Sequence, residues 1–137
     1  MADAPSELER TGDAVRRRIL GDVHVDRAAA SRTAFDAPFQ DLITRSAWGS
    51  VWSRPDLSPR ERSIVTIALL AALGHHDELA MHIRATRQTG ASEADVREAL
   101  LHVALYAGLP AANSAIRLAK QVYAELAAAE AGEGEAP

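Results

Sequence analysis

Apolar residues recur along this chain at the three- and four-residue spacing of a helix face, and the residues interrupting them are helix caps and breakers. Leu8, Val15 and Ile19 mark a first face, preceded by the capping-box pattern of Ser6 with Glu9 and stopped by Gly21. The stretch from Gly21 to Asp26 is too short to separate domains, and a short helix from about Asp26 to Phe35 is predicted after it. Beyond Pro38, Phe39, Leu42, Ile43, Ala47 and Val51 form another face, which must end before Pro55 because a residue preceding proline is pushed out of the helical region. Ser58-Pro59-Arg60-Glu61 is the clearest start signal: an N-cap, a proline at the first helical position and the glutamate of a capping box. From Ile64 to Leu73 only Thr66 is polar, so this helix carries apolar groups on nearly every face and is expected to be shielded by neighbouring helices and by another subunit. After the His75-His76-Asp77 turn comes a helix through Glu78 and His82, closed by Gly90. Ser92 caps a helix bearing Val96, Leu100, Val103 and Ala104, and Gly108-Leu109-Pro110 separates it from a last helix carrying Ile116, Ala119, Val122, Tyr123 and Leu126. No alternating strand pattern or hairpin turn is present. The predicted class is all-α, a compact bundle of about six to seven helices.

At 137 residues the chain has the length of one ordinary domain, taken as residues 1–127, with the alanine- and glycine-rich segment 128–137 expected to be a disordered tail. A formal charge of −4, with Glu130, Glu133 and Glu135 all in that tail, leaves the body near neutral and gives no sign of nucleic-acid binding. The absence of cysteine removes disulfides, thiol nucleophiles, thiolate metal sites and dithiol redox chemistry. The N-terminus lacks a basic region followed by an apolar one, and no run approaches the ~18 apolar residues of a membrane span, so a cytoplasmic protein is expected.

Glu78 and His82 stand four residues apart, a spacing that places them on one helix face. A carboxylate beside an imidazole orients it and favours its protonated form, and histidine is the side chain suited to proton transfer near neutrality. Proton-transfer catalysis is one reading, and a solvated Glu/His pair is the plainer one. His75, Glu78 and His82 also admit a facial metal triad of two histidines and a carboxylate, and a non-catalytic oligomeric helical protein is a third possibility. Trp48 and Trp52, again four apart, read as packing in the core or at a subunit contact. His102 reads as structural and His76 as a solvated turn residue.

Several segments together, spanning about Val15 to Leu126, resemble the carboxymuconolactone decarboxylase family of the alkylhydroperoxidase D-like superfamily. They are Gly21-Asp-Val-His24-Val-Asp-Arg27, Phe39-Gln-Asp-Leu-Ile-Thr-Arg45-Ser-Ala-Trp48-Gly-Ser-Val-Trp52-Ser-Arg-Pro55, Arg62-Ser63-Ile-Val-Thr-Ile-Ala68, Glu78-Leu-Ala-Met-His82-Ile-Arg84 and Ala104-Leu-Tyr106-Ala-Gly108-Leu-Pro110-Ala-Ala-Asn113. The resemblance implies small helical subunits assembled into trimers or hexamers. The peroxidase branch of the superfamily carries Cys-x-x-Cys-x-x-x-His where this chain reads His75-x-x-Glu78-x-x-x-His82, and Ser63 stands at its glutamate position. Without cysteine, thiol peroxidation is chemically impossible here.

The activity so implied is decarboxylation of 4-carboxymuconolactone to the β-ketoadipate enol-lactone in protocatechuate catabolism. When carbon dioxide leaves the γ-carbon, the electrons spread through the ring double bond onto the lactone carbonyl, and protonation at the α-carbon completes the reaction. The substrate is its own electron sink, so no organic cofactor or metal is expected. Three tasks remain for the protein. Arg45, or after it Arg27, would grip a carboxylate through paired hydrogen bonds. His24, Ser63 or Tyr106 would donate to the lactone carbonyl, and Trp48 would supply an apolar wall. His82 would deliver the proton with Glu78 tuning it.

Overall fold

In the computed structural model residues 3–134 are described, and every regular element among them is helical. Helix α1 spans Glu7–Leu20, α2 Asp22–Ala30, α3 Ala37–Ile43, α4 Pro59–Leu73, α5 His76–Thr89, α6 Glu93–Tyr106 and α7 Leu109–Gly134. Directly after α3 the chain continues as a π-helical segment, Thr44–Trp52. The all-α class expected from the apolar spacing is the class that forms. The chain divides into two compact units, one ending at Pro59 and the other beginning at Arg60.

In the first unit, α1 starts as its sequence predicts. The Ser6 N–H donates to Glu9 Oε2 at 2.7 Å and the Glu9 N–H donates to Ser6 Oγ at 3.2 Å, satisfying two donors that a helix start otherwise leaves unpaired. Val15, Ile19 and Leu20 of this helix are buried, as are Val25 and Trp48. The second helix departs from expectation at both ends, beginning at Asp22 and stopping at Ala30. Its first turn is fastened to α1 by Arg17, whose guanidinium donates to Asp13, Asp22 and Asp26 at 3.0, 3.2 and 2.9 Å. An aspartate in that turn also suits the positive end of the helix dipole.

The π-helical segment replaces the ordinary helix predicted over Ala47 and Val51, and it packs closely on α1. Gly12 of α1 lies so close to the Thr44 carbonyl that a Cβ would overlap it, and a Cβ on Gly49 would sit 2.9 Å from the Leu8 carbonyl oxygen. Two glycines thus let α1 and the π segment approach backbone to backbone. Hydroxyl groups serve the carbonyls along the same stretch: Thr44 donates to Gln40 O at 2.9 Å, Ser46 to Leu42 O at 2.6 Å and Ser50 to Arg45 O at 3.0 Å. The Ser50 bond reaches back five residues, the interval of the π ladder itself.

The second unit is built from α4 to α7 around Ile67 and Ala71 of α4, Leu79 and Ile83 of α5, Val96, Leu100 and Val103 of α6, and Ala115, Ala119 and Val122 of α7. Each large apolar side chain so buried contributes roughly 1.5–3 kcal/mol, and the alanines allow the helices to pack closely. Arg60 at the start of α4 donates to both carboxylate oxygens of Asp95 at 2.8 and 2.7 Å, and Asp95 in turn closes the capping box of α6 with Ser92. The apolar helix α4 is not covered on every face within the chain. Ser63, Ile67 and Ala71 form a buried row, whereas Val65, Leu69 and Leu73 are 49, 56 and 67% exposed.

Helix α7 corrects the expected disordered tail, since residues 128–134 continue the helix. The alanines of this stretch are strong helix formers, Arg87 pairs with Glu130 within it at 2.8 Å, and Arg84 pairs with Glu125 just before it at 3.1 Å, both from α5. The remainder of that expectation, residues 135–137, lies outside the described residues. No helix among the described residues is long and apolar enough to cross a membrane.

Candidate active site

Leu79, His82, Ile83 and Thr86 follow one another at helical spacing and form the buried face of α5. His82 is 7% exposed, so its ring sits within this mostly apolar row. Glu78 shares the His82 face by spacing, yet it lies in the first turn of the helix and is exposed. A carboxylate in solvent acts on a buried imidazole only through a screened field, which makes Glu78 a weaker partner than spacing alone suggests. His75, the N-cap of α5, is exposed as well. Among the described residues no three His, Asp or Glu side chains are gathered in a way that could hold a metal ion, so the His75, Glu78 and His82 alternative has no assembled ligand set.

Ser63 faces inward from α4 and is completely buried. Its Oγ lies 2.8 Å from Thr89 Oγ1, in the last turn of α5, and the Ala91 N–H approaches the same threonine oxygen at 3.5 Å. The Ser63 hydroxyl is therefore committed to a neighbour within the protein. Tyr106, the last residue of α6, is 83% exposed and stacks on His102 with ring centroids 6.1 Å apart and planes 13° from parallel. Neither ring belongs to the buried row that holds His82. His76 is the exposed first residue of α5.

The remaining candidates belong to the first unit. Arg45 and Trp48 stand on the π-helical segment, His24 and Arg27 on α2. Arg45 is partly exposed, and its Nη1 donates to Glu9 Oε1 at 3.2 Å. Glu9 is held below the usual carboxylate range, first by the Ser6 backbone N–H, then by the Ser6 hydroxyl and Arg45. Trp48 is 4% exposed and its ring lies 5.2 Å from that of Trp52, tilted by 39°, an arrangement that fits the packing role expected of the pair. His24 is half-buried and Arg27 exposed.

The structure adds two residues to the candidates. In the sequence Glu9 reads as a capping-box glutamate, and nothing local indicates that its second oxygen reaches Arg45. Thr89 directly precedes Gly90 and reads as an ordinary helix end. Only contacts across 36 and 26 residues of sequence reveal either one.

Comparison with known proteins bears on the chemistry. The sequence model of the carboxymuconolactone decarboxylase family matches residues 37–121. A 4-carboxymuconolactone decarboxylase from Acinetobacter baylyi is 47% identical over 117 residues, covering 85% of this chain and 87% of the relative. The nitrosuccinic acid decarboxylase npaB of Metarhizium robertsii is 40% identical over 105 residues, or 77% of this chain and 73% of the relative. Matches of this extent, on the segments that carry His82, Arg45 and Trp48, place the chain in the carboxymuconolactone decarboxylase family.

Proposed function

We propose that this chain decarboxylates 4-carboxymuconolactone to the β-ketoadipate enol-lactone, using no cofactor, as a step of protocatechuate breakdown in the cytoplasm. The observation that carries this assignment is the 47% identity to the Acinetobacter enzyme over most of both chains. The chemistry asks little of a protein beyond binding a dianion, stabilising charge on the lactone oxygen and delivering one proton to carbon. His82 delivers the proton: it is an imidazole set in a largely apolar row, where a charge transferred to substrate meets little competing water. Arg45 binds a substrate carboxylate, with Arg27 as the alternative cation for that role. Glu78 contributes a weak field, His24 or Tyr106 donates to the lactone carbonyl, and Trp48 forms an apolar wall. Ser63 serves chiefly to fix α4 against the end of α5.

The exposed row of Val65, Leu69 and Leu73 supports assembly into a homo-oligomer, a trimer or hexamer, because three large apolar side chains on one helix face gain by leaving water. A monomer by light scattering at micromolar concentration would contradict this.

A second substrate reading follows from the npaB relative. Nitrosuccinic acid also carries its own electron sink, since the nitro group accepts the electrons left when the adjacent carboxylate departs. Freshly generated 4-carboxymuconolactone and nitrosuccinic acid, supplied separately to the purified protein, discriminate the two by substrate loss and carbon dioxide release. The lactone is expected to give the higher kcat/KM by at least about a hundredfold, a margin of roughly 2.7 kcal/mol in transition-state binding. The reverse order would transfer the assignment to the nitro acid. Activity abolished by exhaustive chelation and restored by one metal ion would refute the cofactor-free scheme.

A further inference from the structure

Taking Arg45 as the carboxylate-binding cation, we infer that Glu9 is its positioning residue, holding the guanidinium by one terminal nitrogen so that the opposite edge is presented to substrate; this inference rests on the proposed function.

Glu9 is itself held at both oxygens. Oε2 accepts the Ser6 N–H at 2.7 Å within the capping box, and Oε1 accepts Arg45 Nη1 at 3.2 Å. The carboxylate is therefore part of the rigid start of α1 and not a freely swinging side chain. Its grip on Arg45 uses Nη1 alone; among the described residues Nε and Nη2 make no hydrogen bond. Those two N–H groups form the edge that matches a carboxylate through two parallel bonds. The acid most able to compete, Asp41, is occupied on both oxygens by Arg32 at 2.8 and 3.1 Å. The scaffold beneath is close-packed: Gly12 and Gly49 allow α1 and the π segment to touch through backbone atoms, so the backbone separation between Glu9 and Arg45 is set by that contact. A flexible arginine loses rotamer freedom when it binds, and an arginine already held by a fixed carboxylate loses less.

The test is a double-mutant cycle on KM with 4-carboxymuconolactone, run in parallel on the dissociation constant of cis,cis-muconate, a stable dicarboxylate probe. Glu9→Gln keeps an acceptor for Ser6 but removes the charge that holds Arg45. It is expected to raise KM and the muconate Kd by about threefold to tenfold with kcat within twofold of wild type. In an Arg45→Ala background the same substitution is expected to change neither constant. Glu9→Asp, which keeps the charge but shortens its reach to Arg45, should shift KM in the same direction by a smaller factor, and it replaces Glu9→Gln if that variant does not fold. An unchanged or lowered KM and Kd in Glu9→Gln, or an equal rise in the Arg45→Ala background, overturns the positioning role and leaves the decarboxylase assignment standing. If wild type does not turn over the lactone, the proposed function fails, and the muconate cycle alone decides the Glu9 role. Binding of neither dianion by wild type overturns both.

Discussion

Ser63 Oγ and Thr89 Oγ1 lie 2.8 Å apart with both residues buried, joining the inner row of α4 to the final turn of α5. Ser63 finds its partner in Thr89, and Thr89 Oγ1 is also approached by the Ala91 N–H at 3.5 Å. Removing one leaves a buried polar group short of a partner, whereas removing both leaves an apolar contact between the helices and costs only the long bond from the Ala91 N–H. Ser63→Ala and Thr89→Val are each expected to lower unfolding free energy by about 1–3 kcal/mol, and the double variant by clearly less than their sum. Guanidinium unfolding of the four proteins measures this. A Ser63→Ala variant of unchanged stability but reduced kcat/KM would return Ser63 to the role of carbonyl donor.

Proton transfer and substrate binding separate in the kinetics. His82→Asn is expected to lower kcat by ~10² to 10⁴-fold with KM little changed, while Arg45→Ala raises KM with a smaller effect on kcat. Glu78→Gln, whose charge lies in solvent, is expected to cost less than about threefold in kcat. Steady-state rates on the lactone check all three. A folded His82→Asn enzyme that keeps more than a tenth of the wild-type kcat would exclude His82 as the obligatory donor.

The acid limb of stability is expected to report on Asp95. Arg60, followed by the Ser92 N–H, holds this carboxyl well below the usual carboxylate range. A carboxyl with a depressed folded-state pKa contributes stability above its unfolded value near ~4 and loses that contribution as pH falls through the interval beneath it. Asp95→Asn should therefore lower Tm at pH 7, and the gap to wild type should narrow steadily from about pH 5 towards pH 2. A gap of constant size across that range would show that the loss of the capping geometry, and not the charge, is responsible.

Gly12 is expected to tolerate no side chain. The added methyl of Gly12→Ala would overlap the Thr44 carbonyl, and backbone cannot step aside as a flexible side chain does. Overpacking of this kind costs typically ~1–3 kcal/mol, and here it should also disturb Arg45 one residue further on. Thermal unfolding and KM for the lactone should worsen together. A variant with lower Tm and unaltered KM would separate the α1 contact from substrate binding.

What the sequence revealed and what it concealed divide by the range of the interactions involved. The starts of α1 and α6 were legible because a capping box is complete within four residues, as Ser6 with Glu9 and Ser92 with Asp95 demonstrate. The start of α2 was placed late because Asp22 is engaged by Arg17 of the preceding helix. The end of α7 was placed early because the pair that secures it, Arg87 with Glu130, spans 43 residues of sequence. Helical spacing predicts Glu78 and His82 on one face, but spacing fixes direction around an axis and says nothing of depth, so it does not reveal that one is exposed and the other buried. Apolar periodicity could not reveal the π-helical segment, whose close seating on α1 depends on Gly12, more than thirty residues earlier.

That segment also constrains how the chain can change in length. A π turn holds more residues than an α turn, so the loss of a residue between Thr44 and Trp52 can be absorbed by rewinding into ordinary helix, with helical content almost unaltered. Rewinding spares most of the phase beyond the segment, because the tighter α turns make up for much of the rotation the lost residue supplied; what changes is the relation between side chains on either side of the loss. A deletion between Arg45 and Trp48 would leave a well-formed helix in which the arginine facing Glu9 and the tryptophan facing inward no longer keep their present relation. Residue number in this stretch is thus set by the alignment of side chains, and an insertion or deletion that looks harmless by helix content would be felt first in catalysis.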